Sequence, residues 1–149
     1  MCEIIKLKLS DKEEIYELEK TCLPNDYMSD EIFTEMFCNP RTSVYVIKDN
    51  GKMASYTCVY NWKGQSDYIK IMTLGTHPDY RKKGYGHKLM SYVIENMMKE
   101  KMYKFKSETR ETNYKMQKLF EEYGFEVIDK VEDYYDNPNE TAFVYFVEK

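Results

Sequence analysis

The chain is short of the residues that usually announce a chemistry. It has one Trp, two His, four Pro, four Cys and six Gly in 149 residues. The histidines, at 77 and 87, flank a single loop and no Cys is close to either, so Cys/His or Ser/His/Asp nucleophilic chemistry has little support. The cysteines, at 2, 22, 38 and 58, form no Cys-x-x-Cys pair and fit no zinc template. They read as reduced thiols of a cytoplasmic protein, with no metal site. No apolar run approaches the ~18 residues of a membrane span, and the start of the chain, with Glu3, Lys6 and Lys8, lacks the apolar stretch of a signal peptide. Basic excess is missing too: the net charge of -4 speaks against a nucleic-acid binder.

What is present suits one folded domain over residues 1–149. Hydrophobic residues make up 42% and charged residues 32%, which excludes a disordered chain. Fifteen Tyr bring the aromatic share to 15%, as in a sheet-rich core with polar handles.

Periodicity divides the chain into elements. Residues 2–9 alternate as a strand, with Ile5, Leu7 and Leu9 on one side. Ser10 or Asp11 can cap a helix carrying Ile15, Leu18 and Cys22. Pro24-Asn25-Asp26 breaks it, and Ser29-Asp30-Glu31 starts another that stops at Asn39-Pro40. Strands follow at 43–48 and 53–62, joined at Asp49-Asn50-Gly51, and another at 68–76. Residues 81–86 form a polar loop that opens a helix running to about Glu100. Then come a strand at 102–109, a helix at 113–123 closed by Gly124, and strands at 125–134 and 141–147. The order β-α-α-β-β-β-α-β-α-β-β predicts a mixed α/β fold. About seven mostly antiparallel strands would have helices on both faces.

The loop is the most informative segment. A strand runs into Arg81-Lys82-Lys83-Gly84-Tyr85-Gly86, and the loop opens a helix. Helix starts offer unpaired N–H groups and partial positive charge, and two glycines let an anion approach the backbone. With Lys88 nearby, this predicts a cradle for a phosphate or pyrophosphate. The third Gly of a dinucleotide fingerprint and the Gly-Lys-Ser/Thr of a P-loop are both missing.

Residues 81–86 resemble the Arg/Gln-x-x-Gly-x-Gly/Ala signature of the GCN5-related N-acetyltransferases. Downstream, Glu108-Thr109-Arg110-Glu111-Thr112-Asn113 and Leu119-Phe120-Glu121-Glu122-Tyr123-Gly124-Phe125 are similar to two more blocks of that family. The resemblance covers essentially the whole chain. It implies acetyl-CoA as cosubstrate and transfer of the acetyl group to an amine. It further implies pyrophosphate contacts from backbone amides of Arg81, Lys82, Lys83, Gly84, Tyr85 and Gly86. Pantetheine contacts would come from the backbone of Leu74 and Thr76. Asn113 matches a pantetheine ligand; as a plain helix cap it would look the same.

Acetyl transfer needs a deprotonated amine, a polarised carbonyl and a thiolate able to leave. Direct attack on the thioester is expected. Glu108 occupies the family's base position, against the plainer reading of a solvated carboxylate at a strand end. Where the family usually places a Tyr that protonates the thiolate, this chain has Phe120. Tyr123 is the substitute candidate, with core packing as its other role, and Tyr114 is a weaker one. Tyr134-Tyr135 resembles a pair that lies over the acceptor backbone in N-terminal acetyltransferases, though two strand tyrosines can simply pack. The expected acceptor is a peptide or protein N-terminus. The alternatives are a small-molecule amine, such as a polyamine or aminoglycoside, and a non-catalytic acetyl-CoA-binding module. No nucleic-acid or membrane partner is expected, and the protein is taken to be a monomer or homodimer.

Overall fold

A computed structural model describes residues 2–149, the side chain of Cys2 excepted. Seven strands form one sheet: β1 (Cys2–Lys6), β2 (Thr42–Asp49), β3 (Lys52–Asn61), β4 (Ile69–Thr76), β5 (Lys104–Arg110), β6 (Glu126–Tyr135) and β7 (Glu140–Glu148). Their spatial order is β1-β2-β3-β4-β5-β7-β6. Every neighbouring pair is antiparallel except β4–β5. Four helices accompany them: α1 (Lys12–Cys22), α2 (Asp30–Cys38), α3 (Tyr85–Lys99) and α4 (Tyr114–Glu122). The expected mixed α/β architecture and element order are thus found.

Local chemistry explains most boundaries. Asn50 and Gly51 turn the β2–β3 hairpin with φ of 52° and 82°, the left-handed conformation such short turns require. Ser29 caps α2 by accepting a hydrogen bond from the Ile32 amide. The first strand is shorter than its alternation predicts. It ends at Lys6, and Leu9–Asp11 coil into a 3-10 turn because the Asp11 carboxylate accepts the Lys8 amide at 2.9 Å. The α3 helix starts earlier than its apolar spacing suggests, so Tyr85 and Gly86 form its first turn.

Each face of the sheet carries its own helix layer. Ile15 and Leu18 of α1 and Phe33 and Met36 of α2 bury against Val44, Val46, Tyr56 and Cys58. On the opposite face Leu89, Met90, Val93 and Met97 of α3, with Leu119 and Phe120 of α4, bury against Ile47, Val59, Ile69, Ile71, Phe105 and Tyr145. Each such side chain contributes about 1.5–3 kcal/mol when fully buried.

The β4–β5 seam positions the site. The two strands pair over only three residue pairs, Ile69–Phe105, Lys70–Lys106 and Ile71–Ser107. Beyond them β4 stays with β3 up to Thr76 while β5 stays with β7 up to Arg110, so the sheet splits open between them. The Thr73 and Gly75 carbonyls accept hydroxyl hydrogen bonds from Thr57 and Ser55 of β3. Backbone groups alternate in direction along a strand, so those of Leu74 and Thr76 face the split.

Candidate active site

At one end of the split lies the start of α3. Gly84 caps the helix with φ 76°, a conformation that favours glycine. A groove of about 660 Å³ opens here, lined by Gly75, Thr76, Arg81, Lys82, Gly84, Tyr85 and Gly86 on one side and by Asn113, Lys115, Lys118 and Leu119 on the other. An atom added at Gly86 would lie 3.6 Å from both Leu74 and Leu119, at the groove floor. The first-turn N–H groups lack intrahelical acceptors, as at any helix start, and suit an anion.

The loop charges are arranged differently from a simple count. The Lys83 ammonium lies 3.2 Å from Asp49 and over the Tyr80 ring, and Lys83 does not line the groove. The Tyr85 hydroxyl also donates to Asp49, at 2.5 Å. Those two partners, the Tyr85 hydroxyl first, hold the Asp49 carboxyl below its usual value. Asp49, at the end of β2, thereby ties the β2–β3 hairpin to the loop. Nothing in the sequence pairs positions 49 and 85. The groove's second basic wall, Lys115 and Lys118, was legible only as the polar side of an amphipathic helix.

The groove runs into a smaller cleft of about 220 Å³, with Leu23, Leu74, Asn113 and Met116 common to both. Glu108, Tyr134 and Tyr135 line this cleft. Glu108 accepts the Lys70 ammonium on both oxygens, at 2.9 and 3.0 Å, and the Tyr134 hydroxyl on one, at 3.1 Å. Burial first, and then the Glu108 charge, raise the pKa values of both Tyr134 and Tyr135. Arg110, two residues along β5, donates to both carboxylate oxygens of Asp26 at 2.9 and 2.7 Å. It also reaches Glu140 at 3.1 Å and the carbonyls of Asp136 and Pro138 at 2.8 Å, and it lies over the Tyr135 ring. One guanidinium therefore clasps the α1–α2 connection to the β6–β7 hairpin across the cleft mouth.

A buried carboxyl fixes the same connection from behind. Glu19 is fully buried, and it accepts the Tyr56 hydroxyl at 2.7 Å and the Met28 amide at 2.9 Å. Burial raises its pKa, against the two hydrogen bonds. Beside it, burial pushes the Cys22 thiol up to about 11. Lys70, Asp26, Glu140 and Glu19 were all missed from sequence. Each is an ordinary charged residue far along the chain from its partner.

Three expected residues sit differently from the rest. The Tyr123 hydroxyl donates to the His87 carbonyl at 2.8 Å and meets Ser91 at 2.6 Å, and Tyr123 lines neither cavity. The geometry corresponds to its packing role, a tether between α4 and α3, with its hydroxyl engaged away from the cleft. Asn113 caps α4 by accepting the Met116 amide at 3.2 Å, and it also lines both cavities. Phe120 lines the cleft and is otherwise buried against Phe125 and Tyr145.

The chain is 24% identical over 141 residues to a Bacillus subtilis (strain 168) protein that bears the provisional name of a ribosomal protein bS18-alanine N-acetyltransferase, covering 95% of this chain and 91% of that one. Its fold matches the crystal structure of the ribosomal-protein-S18-alanine N-acetyltransferase from Escherichia coli, with a TM-score of 0.89 and 23% identity over 99% of this chain and 94% of the other. It also matches Arabidopsis thaliana NAA60, solved with a bisubstrate analogue, with a TM-score of 0.87 and 13% identity over 100% and 99% of the two chains. The family model of the acetyltransferase (GNAT) family matches residues 12–125, across the split sheet, the α3 loop and Glu108, and the chain belongs to that family.

Proposed function

We propose that the protein transfers the acetyl group of acetyl-CoA to the α-amino group of a peptide or protein N-terminus. The observation that carries this reading is the placement of Glu108. Its carboxylate lies in a narrow cleft, beneath Tyr134, where the groove below the α3 start meets the split between β4 and β5. In this reading the α3 loop takes the pyrophosphate and the edge of β4 at Leu74 and Thr76 takes the pantetheine arm. Asn113 adds a contact from the α4 side. The acceptor enters past Tyr134 and Tyr135. The acceptor's ammonium gives up one proton on the way in, and Glu108, directly or through water, takes the second as the nitrogen attacks. The neutral nitrogen attacks the thioester carbonyl, a C–N bond forms and the C–S bond breaks. The departing CoA thiolate is protonated by water, since Phe120 offers no hydroxyl. The products are the acetylated amine and CoA, with one net proton released.

An α-amine suits this site because its reference pKa is near 8, so about a quarter of it is neutral at pH 7.5, against ~0.1% of a lysine side chain. The named activities of the bacterial relatives point the same way. All the groups invoked come from one chain, which fits a monomer or a homodimer with independent sites. A cytoplasmic location suits free cysteines at 22, 38 and 58 and the absence, among the described residues, of a helix long and apolar enough to cross a membrane.

The test is acetyl-CoA turnover with hexapeptides bearing free N-terminal Ala, Ser, Gly, Thr or Met, against spermidine and an aminoglycoside. Peptides should turn over fastest. Glu108→Gln should lower turnover about 10²–10⁴-fold, the usual worth of a general base, without weakening acetyl-CoA binding. A preference for spermidine would redirect the reading to small amines. Binding without turnover on any amine would leave a binding module, the alternative that Phe120 motivates.

A further inference from the structure

The Glu108 carboxylate does not face the cleft alone. Lys70 on β4 is the register partner of Lys106 on β5, and Glu108 lies two residues further along β5, so all three project from the same side of the sheet. The Lys70 ammonium bridges both oxygens of Glu108 and the Tyr134 hydroxyl occupies one of them. A carboxylate offers about four acceptor positions, so roughly one remains for an incoming amine. The other cations on this side are turned elsewhere. Arg110 is engaged with Asp26 and Glu140, and Lys106 lies over the Tyr68 ring. Tyr135 lies against Arg110 and Tyr134.

This arrangement decides which form of the acceptor the cleft can hold. An uncompensated carboxylate would grip the acceptor's ammonium by a charge-assisted hydrogen bond. That grip holds an unproductive form, because the ammonium has no free lone pair and must shed a proton before it can attack. Binding of that kind lowers KM and lowers kcat with it, because the bound state is stabilised and the transition state is not. With Lys70 on both oxygens, Glu108 is already balanced, and an arriving ammonium meets a like charge within a few ångströms.

We propose that Lys70 is a positioning residue that, by compensating Glu108, makes the cleft select the neutral form of the acceptor amine. The inference rests on the reading of Glu108 as the base. It sharpens the substrate class, since α-amines offer a large neutral fraction near neutral pH and lysine side chains almost none.

The experiment is steady-state kinetics on the best Ala-initiated hexapeptide at pH 7.5, with thermal melts to confirm folding. Lys70→Met keeps the length of the side chain and removes its charge. It should lower the peptide KM three- to tenfold and lower kcat about tenfold or more, the pattern of ground-state binding gained at the expense of the transition state. Lys70→Arg should restore both constants to within about threefold of the parent. In a Glu108→Gln background, Lys70→Met should no longer lower KM, because no carboxylate is left to uncover. An unchanged or raised KM in Lys70→Met overturns the inference, as does an equal KM fall in the Glu108→Gln background. Equal losses in Lys70→Met and Lys70→Arg also overturn it, reducing Lys70 to a structural tie. A slow Glu108→Gln enzyme beside a parent-like Lys70→Met enzyme sinks this inference alone. A Glu108→Gln enzyme at the parental rate sinks the base reading and this one with it. Should Lys70→Met fail to fold, Lys70→Gln is scored by the same criteria.

Discussion

Two glycines of the site illustrate opposite uses of a missing side chain. At Gly75 an added methyl would lie 2.9 Å from both Cys22 Cβ and Tyr56 Cε1, atoms of packed neighbours. Gly75→Ala should therefore cost stability, about 1–3 kcal/mol for an overpacked position, read as a fall in the urea midpoint. At Gly86 the same methyl meets only ordinary contacts at 3.6 Å, so the fold has room, yet the space it fills is the groove below the α3 start. Gly86→Val should melt within a few degrees of the parent and weaken CoA binding at least tenfold, about 1.4 kcal/mol, by calorimetry. Unweakened CoA binding by a folded Gly86→Val protein would remove the phosphate cradle from this loop. The Gly84-x-Gly86 spacing was visible in the sequence because backbone freedom is written in residue type. The tight contact at Gly75 was not, because Cys22 and Tyr56 reach it from α1 and β3, and nothing local marks their approach.

At the level of elements, charge is the feature the sequence reported least faithfully. Four basic residues in and beside the α3 loop suggested a uniformly positive cradle, but Lys83 turns back to Asp49, which also holds Tyr85. The loop is shaped by an acid from the β2–β3 hairpin as much as by its own glycines. Asp49→Asn should thus loosen the loop, lowering acetyl-CoA affinity several-fold with a modest loss of thermal stability. The pH dependence has a definite sign. Since the folded protein holds the Asp49 carboxyl below its unfolded value, its contribution is present above about pH 4 and fades as pH falls through the folded value. The melting difference between parent and Asp49→Asn should accordingly shrink in acid; a difference that stays constant from pH 7 to pH 3 would mean the carboxylate charge is not what matters. Strand and helix positions were far more legible than such ties. Asn50-Gly51, Ser29 and Gly124 mark turns and caps within a few residues of themselves, whereas Lys70–Glu108 and Asp26–Arg110 join positions 38 and 84 residues apart.

For the molecule as a whole, the order of elements and the two-faced core followed from periodicity. The split between β4 and β5 did not, because each strand alone reads as a normal strand and the divergence exists only in their pairing. The same split makes the protein two unequal half-sheets, β1–β4 and β5–β7, sharing three backbone pairs and the helices that lie across the join. The connection between them passes through Lys101, an exposed residue with φ 66°, just before buried Met102. A chain cut after Lys101 would leave one fragment with Leu74, Thr76 and the α3 loop, and another with Glu108 and Asn113. If the cosubstrate lodges in the gap, it touches both. Fragments 1–101 and 102–149 should then reassemble more tightly in acetyl-CoA than without it, turning the cosubstrate into the mortar of a split protein. Reassembly indifferent to acetyl-CoA would mean that the gap is not where it binds.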